Sequence, residues 1–328
     1  MSVTIKDIAR ESGVSYSTVS KALNDSPLVK PDTKKKVIEA ARNLGYSPNF
    51  AAKNLVSKKS RTIGLVWPAI DRIALTALVS KINEIVTSKN YFMILSVNSA
   101  DTAVEMFKSF QVDGVMIFQE GGETQLHSGI ASSIPILSYG VSGSSSLPII
   151  DVNHKKAIHK AVLHLYNQGH TKISYIGDLS PIDKRQAEKL DGFYEGMKEA
   201  NLIPGESSIA NTKGLSWYDG YLAAKTLLLK EPLPTALISG SYDISVGILR
   251  AVKELNLRIP DDLSLISYDN IPQMASLETE LTSVGVPIDH LADKMVESLL
   301  SLIAQPGSIS LTQMMEPEIN IRKSTRTI

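Results

Sequence analysis

The sequence predicts a small all-α head of three helices, followed by a larger α/β domain of two lobes with parallel sheets. Three observations lead to this fold class. The first 62 residues show helical apolar spacing broken by glycines, the remainder alternates short apolar runs with helical stretches, and those runs fall into two series. A chain of 328 residues with 43% hydrophobic content can form two or three domains.

Charge is distributed unevenly along the chain, although the net charge is zero. Residues 1–62 contain twelve Lys or Arg and five Asp or Glu, a balance of +7, so residues 63–328 carry −7. Phosphate neutralisation favours Lys and Arg wherever a protein contacts nucleic acid. The asymmetry therefore indicates that only the head binds nucleic acid, and a solvated basic face is the alternative interpretation.

Composition argues against several other classes of protein. The longest apolar runs have the length of strands, well short of the roughly 20 residues that a membrane-spanning helix needs. Charged residues near the N-terminus interrupt any apolar core of a signal peptide. The absence of cysteine excludes disulfides and thiolate metal sites. We therefore expect a cytoplasmic protein without membrane association.

Residues 4–24, TIKDIARESGVSYSTVSKALN, predict two short helices across a turn. Gly13 separates the two segments, and Ser15 is a suitable N-cap for the second because its hydroxyl can accept an unpaired backbone amide. Such a helix-turn-helix would direct the exposed start of its second helix into a DNA major groove. A helical hairpin buried in a larger fold is the alternative. The exposed positions are Tyr16, Ser17, Thr18 and Lys21.

A third helix and a hinge complete the N-terminal region. Pro31 suits the first position of the helix and Gly45 its C-cap, so we place the head at residues 1–46. Residues 47–60 form the hinge, whose helix of about two turns is too short to be stable without a partner. Leu55 in this helix could insert between base pairs from the minor groove, and a plain interdomain linker is the alternative.

The sequence of residues 61–328 predicts a domain of buried strands alternating with helices. Runs of this kind indicate parallel sheets covered on both faces, and two series of runs indicate two lobes. Ligands of such folds bind beyond the carboxyl ends of the strands, which can face a shared cleft. The predicted strands are residues 62–67, 91–97, 112–118, 134–140, 172–177, 234–240 and 263–268.

Two long segments resemble one known family. TIKDIARESGVSYSTVSKALN, followed by VKPDTKKKVIEAARNLGYSPNFAAKNL, resembles the head and hinge of LacI/GalR-type transcription regulators. NQGHTKISYIGD and RIPDDLSLISYDN resemble the second lobe of the same family, whose effector domain is similar to periplasmic binding proteins. The resemblance implies a homodimeric regulator, most often a repressor, that binds a palindromic operator and is controlled by a small molecule.

The resemblance also assigns DNA-binding positions. Tyr16, Ser17 and Lys21 match positions that read bases, and Leu55 matches the leucine that enters the minor groove. Lysine at position 21 replaces the arginine most common there, so base preference at that position is expected to change. The remaining positions matched to DNA contacts are Thr4, Ser15, Thr18, Asn24, Tyr46, Asn49 and Ala52.

The effector-binding positions match the family less well. Asp269 is the strongest candidate because a carboxylate at a strand end can accept two hydrogen bonds from a sugar or nucleoside, although a loop cap is the alternative. Lys189 stands where the family often has arginine, and Tyr242 where it often has asparagine. Lysine replaces the fork of donors of arginine with a point charge, so we do not expect Lys189 to bind a sugar or carboxylate in a fixed bidentate manner. The full set of candidates is Asp71, Arg185, Lys189, Leu215, Trp217, Tyr242 and Asp269.

No catalytic arrangement is evident in the sequence, and we predict neither an enzyme nor a bound cofactor. His154, His159 and His164 are spaced by five, which sets their rings apart around a helix, so a shared metal site is not expected. A solvated or partly buried helix face accounts for them. His170 is expected to make structural hydrogen bonds.

Three functional hypotheses remain at this point. The first is an operator-binding regulator with a sugar or sugar derivative as effector. The second keeps the regulator but makes its effector a phosphoprotein. The third is a solute-binding protein, which the basic head argues against because such a protein would need a secretory signal there.

Overall fold

The computed structural model describes residues 3–46, 59–67, 71–119, 134–140, 147–205, 208–307 and 309–328. Its contacts divide the chain into two compact units, Met1–Ser60 and Arg61–Ile328. Residues 47–58, which make up most of the predicted hinge, lie outside the described residues.

The head contains three helices around one small core. Gly13 and Gly45 both have φ of +65°, a conformation that glycine adopts without strain, and they follow the first and third helices as predicted. Ile8, Val19 and Val37, one from each helix, are fully buried at the centre of the core. The helices are α1 (Ile5–Ser12), α2 (Tyr16–Leu23) and α3 (Pro31–Asn43).

The first lobe is built on a sheet of six parallel strands in the order β11-β5-β4-β3-β1-β2. Its strands are β1 (Thr62–Val66), β2 (Phe92–Ser96), β3 (Gly114–Phe118), β4 (Ile136–Tyr139), β5 (Ile149–Val152) and β11 (Thr312–Met315). Its helices are α4 (Ile73–Ser88), α5 (Ala100–Ser109) and α10 (Ile288–Ala304).

The second lobe has a six-stranded sheet in the order β12-β10-β9-β8-β6-β7, in which only β12 runs antiparallel to its neighbour. Its strands are β6 (Ile173–Gly177), β7 (Ile209–Asn211), β8 (Ala236–Ser239), β9 (Ser264–Asn270), β10 (Thr282–Pro287) and β12 (Glu318–Asn320). Its helices are α6 (His154–Asn167), α7 (Lys184–Glu199), α8 (Trp217–Leu228) and α9 (Tyr242–Glu254), with a short 3₁₀ helix at Pro272–Ala275.

Within the residues that the structure describes, the chain crosses between the lobes three times. The crossings follow β5, β10 and β11, because each of these strands ends in one lobe and the next element belongs to the other. Parallel strands in both sheets end toward these crossings, so side chains at their carboxyl ends meet between the lobes. This arrangement confirms the predicted two-lobed α/β fold.

All seven predicted strands are present, within two residues of the predicted limits. Five further strands were not predicted: β5, β7, β10, β11 and β12. Among the described residues, every helix is either too short or too polar to cross a membrane.

Candidate functional site

The second helix of the head presents a polar face outward over a buried apolar one. Val19 and Ala22 are buried, whereas the side chain of Tyr16 is 55% exposed and those of Ser17 and Lys21 also face solvent. The helical period of 3.6 residues produces this division, since positions 19 and 22 lie on the side opposite 17 and 21. The exposed face has donors, acceptors and one positive charge available for a partner.

Hydroxyl groups fix the beginning of this helix. The amide of Thr18 donates to Oγ of Ser15 at 3.2 Å, which confirms Ser15 as the N-cap. Ser15 Oγ also lies 2.9 Å from Ser17 Oγ and 2.8 Å from Thr18 Oγ1. The helix N-terminus is therefore held in place by its own side chains, and anions such as phosphate are favoured at such a terminus.

The other predicted head positions lie around the same three helices. Thr4 caps α1, with its backbone N and Oγ1 both donating to the carboxylate of Asp7, at 3.0 and 2.7 Å. Asn24 ends α2 and donates from Nδ2 to the carbonyl of Ser20 at 2.9 Å. Tyr46 packs against the head core. Asn49, Ala52 and Leu55 lie outside the described residues.

The cleft between the lobes is lined by side chains of both. In this conformation its enclosed volume is about 70 Å³, well below the roughly 300–1,000 Å³ of typical ligand pockets. The cleft is therefore nearly filled by its own side chains. Its polar and aromatic lining consists of Arg72, Phe118, Tyr139, His154, Arg185, Gln186, Lys189, Tyr268, Asp269 and Asn270.

An aromatic group at the ends of β3 and β4 forms the first-lobe wall. The ring centroids of Phe118 and Tyr139 are 5.5 Å apart, and Trp67 packs behind both. Arg185 reaches across from the second lobe and places its guanidinium carbon 4.9 Å from the centroid of Phe118. The same guanidinium is held by Asp183, through Nε at 3.0 Å and Nη2 at 2.9 Å.

Lys189 is the most deeply buried cation of the cleft. Its side chain is 97% buried, and Nζ donates to the carbonyl of Gly240 at 2.9 Å and to Oε1 of Gln186 at 3.4 Å. The amine also lies 3.8 Å from the ring centroid of Tyr268, a cation–π contact. Among the described residues, no carboxylate lies within salt-bridge distance of it. Burial lowers the pKa of Lys189 to about 7.

His154 begins α6 at the first crossing between the lobes and is buried, which corrects the expectation of a solvated or partly buried face. Its Nδ1 lies 2.5 Å from the hydroxyl of Tyr268. Burial, with Lys189 nearby, lowers the pKa of His154 well below its ordinary value, so the ring is neutral at pH 7. His170 instead contacts Thr235 Oγ1 and the carbonyl of Arg326, both at 3.0 Å.

Asp269 lies near the end of β9, where its side chain reaches the cleft. Its Oδ2 accepts a hydrogen bond from the backbone N of Tyr242 at 2.9 Å, at the first residue of α9. The residue has φ of +84°, an unusual value for any residue other than glycine. A strained backbone held at a cleft is typical of a binding position.

Four other predicted effector positions lie elsewhere. Asp71 is exposed, and its neighbour Arg72 lines the cleft instead. Trp217 is 52% exposed on α8, and Leu215 packs against the hydrophobic core. Tyr242 is buried in the same core and approaches the cleft only through its backbone N. Among the described residues, the aromatic rings that line the cleft come from Phe118, Tyr139, His154 and Tyr268.

Metal ligation is not supported by the described part of the chain, which contains no group of three or more His, Asp or Glu side chains positioned to hold an ion. The fold instead combines a helix-turn-helix head with a two-lobed domain whose polar cleft lies at strand ends. This combination defines a DNA-binding regulator that carries a ligand-binding domain.

Comparison with known proteins identifies the family. Residues 4–49 match the family described as bacterial regulatory proteins, lacI family, and residues 162–325 match a periplasmic binding protein-like domain. Catabolite control protein A of Priestia megaterium is 31% identical over 99% of this chain and 100% of that protein. The probable transcriptional repressor ExuR of Bacillus subtilis strain 168 is 27% identical over 99% of both. This chain belongs to the lacI family of regulatory proteins.

Solved structures show the same fold. The lac repressor dimer bound to operator and the anti-inducer ONPF superposes with a TM-score of 0.84 at 24% identity, covering 99% of this chain and 100% of that one. The CelR–cellobiose complex gives a TM-score of 0.68 at 21% identity over 98% and 99%. As a member of the lacI family of regulatory proteins, the chain is a transcriptional regulator with an effector-binding domain.

The sequence did not indicate seven of the polar and aromatic cleft residues, which are Arg72, Phe118, Tyr139, His154, Gln186, Tyr268 and Asn270. Phe118 ends one predicted strand and Tyr139 is the last but one residue of another, so the rule that ligands bind beyond strand ends could have indicated them. Tyr268 was the last residue of another predicted strand. For Arg72 and His154 we find no comparable signal, because both lie at the beginning of helices whose positions depend on the assembled lobes.

Proposed function

We propose that this protein represses transcription by binding a palindromic operator as a homodimer, and that a sugar or sugar derivative in the interlobe cleft controls that binding. The observation that carries the DNA-binding part is the exposed face of α2, with Tyr16, Ser17 and Lys21 outward over a buried apolar face. Relatives that share nearly the whole chain are named as a catabolite control protein and a repressor.

Basic side chains around the head support phosphate contacts. Lys35, Lys36 and Arg42 on α3 are all exposed, whereas Lys34 lies 2.5 Å from Asp25 and its charge is already compensated. Exposed Lys and Arg beside a major-groove helix position the protein on the DNA backbone, and the groove-facing residues then select the sequence.

An apolar edge of the first lobe supports the homodimer. Phe92, Leu95, Val97 and Phe110 are between 41% and 59% exposed, and β2, which contains the first two, is the edge strand of its sheet. Exposed apolar edge strands promote association between chains unless they are covered. A second copy would cover this edge, and two heads related by a two-fold axis would require a palindromic operator.

The cleft supports a small polar effector. Asp269 provides an acceptor, Lys189 and Arg185 provide donors, and Phe118 and Tyr139 provide flat apolar faces, a combination suited to hydroxyl groups and ring faces of a sugar. Related folds have been solved with cellobiose and with ribose. Because the enclosed volume is only about 70 Å³, the cleft must widen to admit such a molecule.

The test of DNA binding is a titration of the full chain on candidate palindromic operators at several salt concentrations. A protein making 6–10 phosphate contacts loses about 10³ to 10⁵ in affinity between roughly 50 and 200 mM salt. A flat salt response would contradict the proposal. Calorimetry with a panel of sugars, sugar phosphates and nucleosides tests the effector. Saturable binding that Asp269→Ala weakens by roughly 10- to 100-fold would support the proposal.

A further inference from the structure

Asp243 joins the two lobes beside the cleft. It lies in the first turn of α9 in the second lobe, and its Oδ1 accepts a hydrogen bond of 3.5 Å from the backbone N of Ile73, the first residue of α4 in the first lobe. Its Oδ2 lies 3.8 Å from Nε of Arg72, which immediately precedes α4. One carboxylate therefore contacts a helix terminus and a guanidinium of the opposite lobe.

Two helix N-termini favour a negative charge at this place. Asp243 sits in the positively polarised first turn of α9, a helix of 13 residues, and faces the beginning of α4, a helix of 16 residues. Arg72 adds a full positive charge. The start of α4 and Arg72 belong to the first lobe, so their attraction for the carboxylate is lost when the lobes move apart, whereas that of α9 remains.

Burial opposes this attraction. The side chains of Arg72 and Asp243 are 15% and 14% exposed, and burial, with Asp269 nearby, raises the pKa of Asp243 although Arg72 lowers it. Nε of Arg72 and Oδ2 of Asp243 are both buried without a hydrogen-bond partner among the described residues. Buried charged atoms that lack hydrogen bonds are costly, so desolvation offsets part of the attraction.

Both residues of this contact, Arg72 and Asp243, are linked to the proposed effector site. Arg72 lines the cleft, and Asp269 binds the backbone N of Tyr242, the residue next to Asp243. A ligand that engages Arg72 or Asp269 therefore acts on a partner of Asp243 or on the helix start that carries it. Neither Arg72 nor Asp243 was a candidate from the sequence.

We propose that Asp243 and Arg72 form an interlobe latch that holds the cleft narrow, and that an effector must open this latch to enter. The proposal rests on the cleft being the effector site, but the position of the lobes can be measured without any effector. A latch whose attraction is partly offset by desolvation suits a regulatory domain, because a ligand shifts an equilibrium only by its differential affinity for the two states.

The test measures the distance between the lobes in the ligand-free full-length chain. The chain has no cysteine, so Ser109→Cys on α5 and Lys198→Cys on α7, both at exposed positions, provide the only two labelling sites. Pulsed electron double resonance then reports the distance between spin labels. Labelled chain is mixed with excess unlabelled chain so that a dimer contains at most one labelled copy.

Asp243→Asn keeps the acceptor for Ile73 and removes the charge, and Arg72→Met keeps the length of the side chain without the guanidinium. Each variant should show an additional population of molecules in which the distance between the spin labels exceeds the wild-type distance by more than about 2 Å. Differences of this size are typical of rearrangements between domains. Because both remove the same contact, the double variant should resemble either single variant.

Asp289→Asn is the matched control. Asp289 pairs with Lys81 at 2.9 Å, and both residues belong to the first lobe, so this variant should keep the wild-type distance. Circular dichroism and thermal unfolding establish that each variant is folded. Wild-type distances in folded Asp243→Asn and Arg72→Met would overturn the latch, and they would do so whether or not an effector is ever found. Failure of the sugar panel alone would leave the distance result intact and count only against the proposed effector.

Discussion

Helix α2 of the head and the cleft of the effector domain hold their side chains in position in opposite ways. On α2 the side chains proposed to contact DNA are exposed and are positioned by neighbours within three residues, such as Ser15 and Thr18. In the cleft the side chains proposed to bind an effector are buried and are positioned by residues far away in sequence, as Lys189 is by Gly240. The first site is set by local helix geometry and the second by the assembled lobes.

This difference has consequences for substitutions. An exposed side chain on α2 contributes little to the stability of the free protein, so replacing it should change DNA binding alone. A buried cleft residue satisfies other buried groups, so replacing it changes stability together with ligand binding.

The largest effect is expected from the core of the head. Ile8→Ala removes a fully buried side chain, which costs about 2–5 kcal/mol. A domain of three short helices has little stability to lose, so operator binding should become undetectable in a gel-shift titration. Ile38→Ala is the control, because Ile38 is 44% exposed in α3. Operator binding by Ile8→Ala at wild-type affinity would show that the head is more stable than its size implies.

Asp269→Ala should weaken effector binding by roughly 10- to 100-fold, the cost of losing a hydrogen bond to a charged group. Calorimetry with whichever sugar binds the wild type measures the change, and operator affinity without effector should stay the same. Asp261→Ala, at an exposed aspartate, serves as the control. Unchanged effector affinity in Asp269→Ala would remove this residue from the site.

A smaller effect is expected at position 21. Lys21→Arg introduces a planar fork of donors on the exposed face of α2, which should raise discrimination for guanine at one position in each half-site by about 1–3 kcal/mol. Binding to operators that differ at single base pairs measures this. Lys35→Arg should change affinity evenly across the same operators. If Lys21→Arg also changed the affinity equally for all of these operators, Lys21 would contact the phosphate backbone and not a base.

The smallest effect concerns pH. The pKa of Lys189 is lowered to about 7 in the folded protein from an ordinary value of 10.5, so between these values the unfolded chain binds the extra proton. Stability contributed by this group therefore rises with pH above about 7, by at most about 1.4 kcal/mol per pH unit. Denaturant unfolding at pH 7.5 and 9.0 should show this rise in the wild type relative to Lys189→Met. If the free energy of unfolding changed equally with pH in the wild type and in Lys189→Met, that result would contradict a buried amine without a compensating charge at position 189.

Local signals explain what could be predicted from the sequence. Ser15, Gly13 and the spacing of Ile8 and Val19 act within a few residues, and the structure has the two helices of the motif where these signals place them. Apolar runs such as residues 114–118 also predict strands, because a strand buried on both faces is apolar throughout.

Long-range pairing explains what could not be predicted. The strand β5 is only four residues long and includes Asp151, while β11 and β12 are short, partly polar strands at sheet edges. Strand formation at such places depends on the neighbouring strand more than on local propensity. The contact between Arg72 and Asp243 likewise requires two helices from different lobes to begin at the same place.

The central claim is that a ligand in the cleft controls binding of the head to DNA. Operator affinity, measured at fixed salt with and without saturating effector in the wild type and in Asp269→Ala, tests it most directly. We predict a change of roughly 5- to 150-fold in the wild type, corresponding to a coupling of about 1–3 kcal/mol, and in Asp269→Ala the same change only at effector concentrations about 10- to 100-fold higher. An operator affinity that stays constant in the wild type while the cleft is saturated would contradict the account.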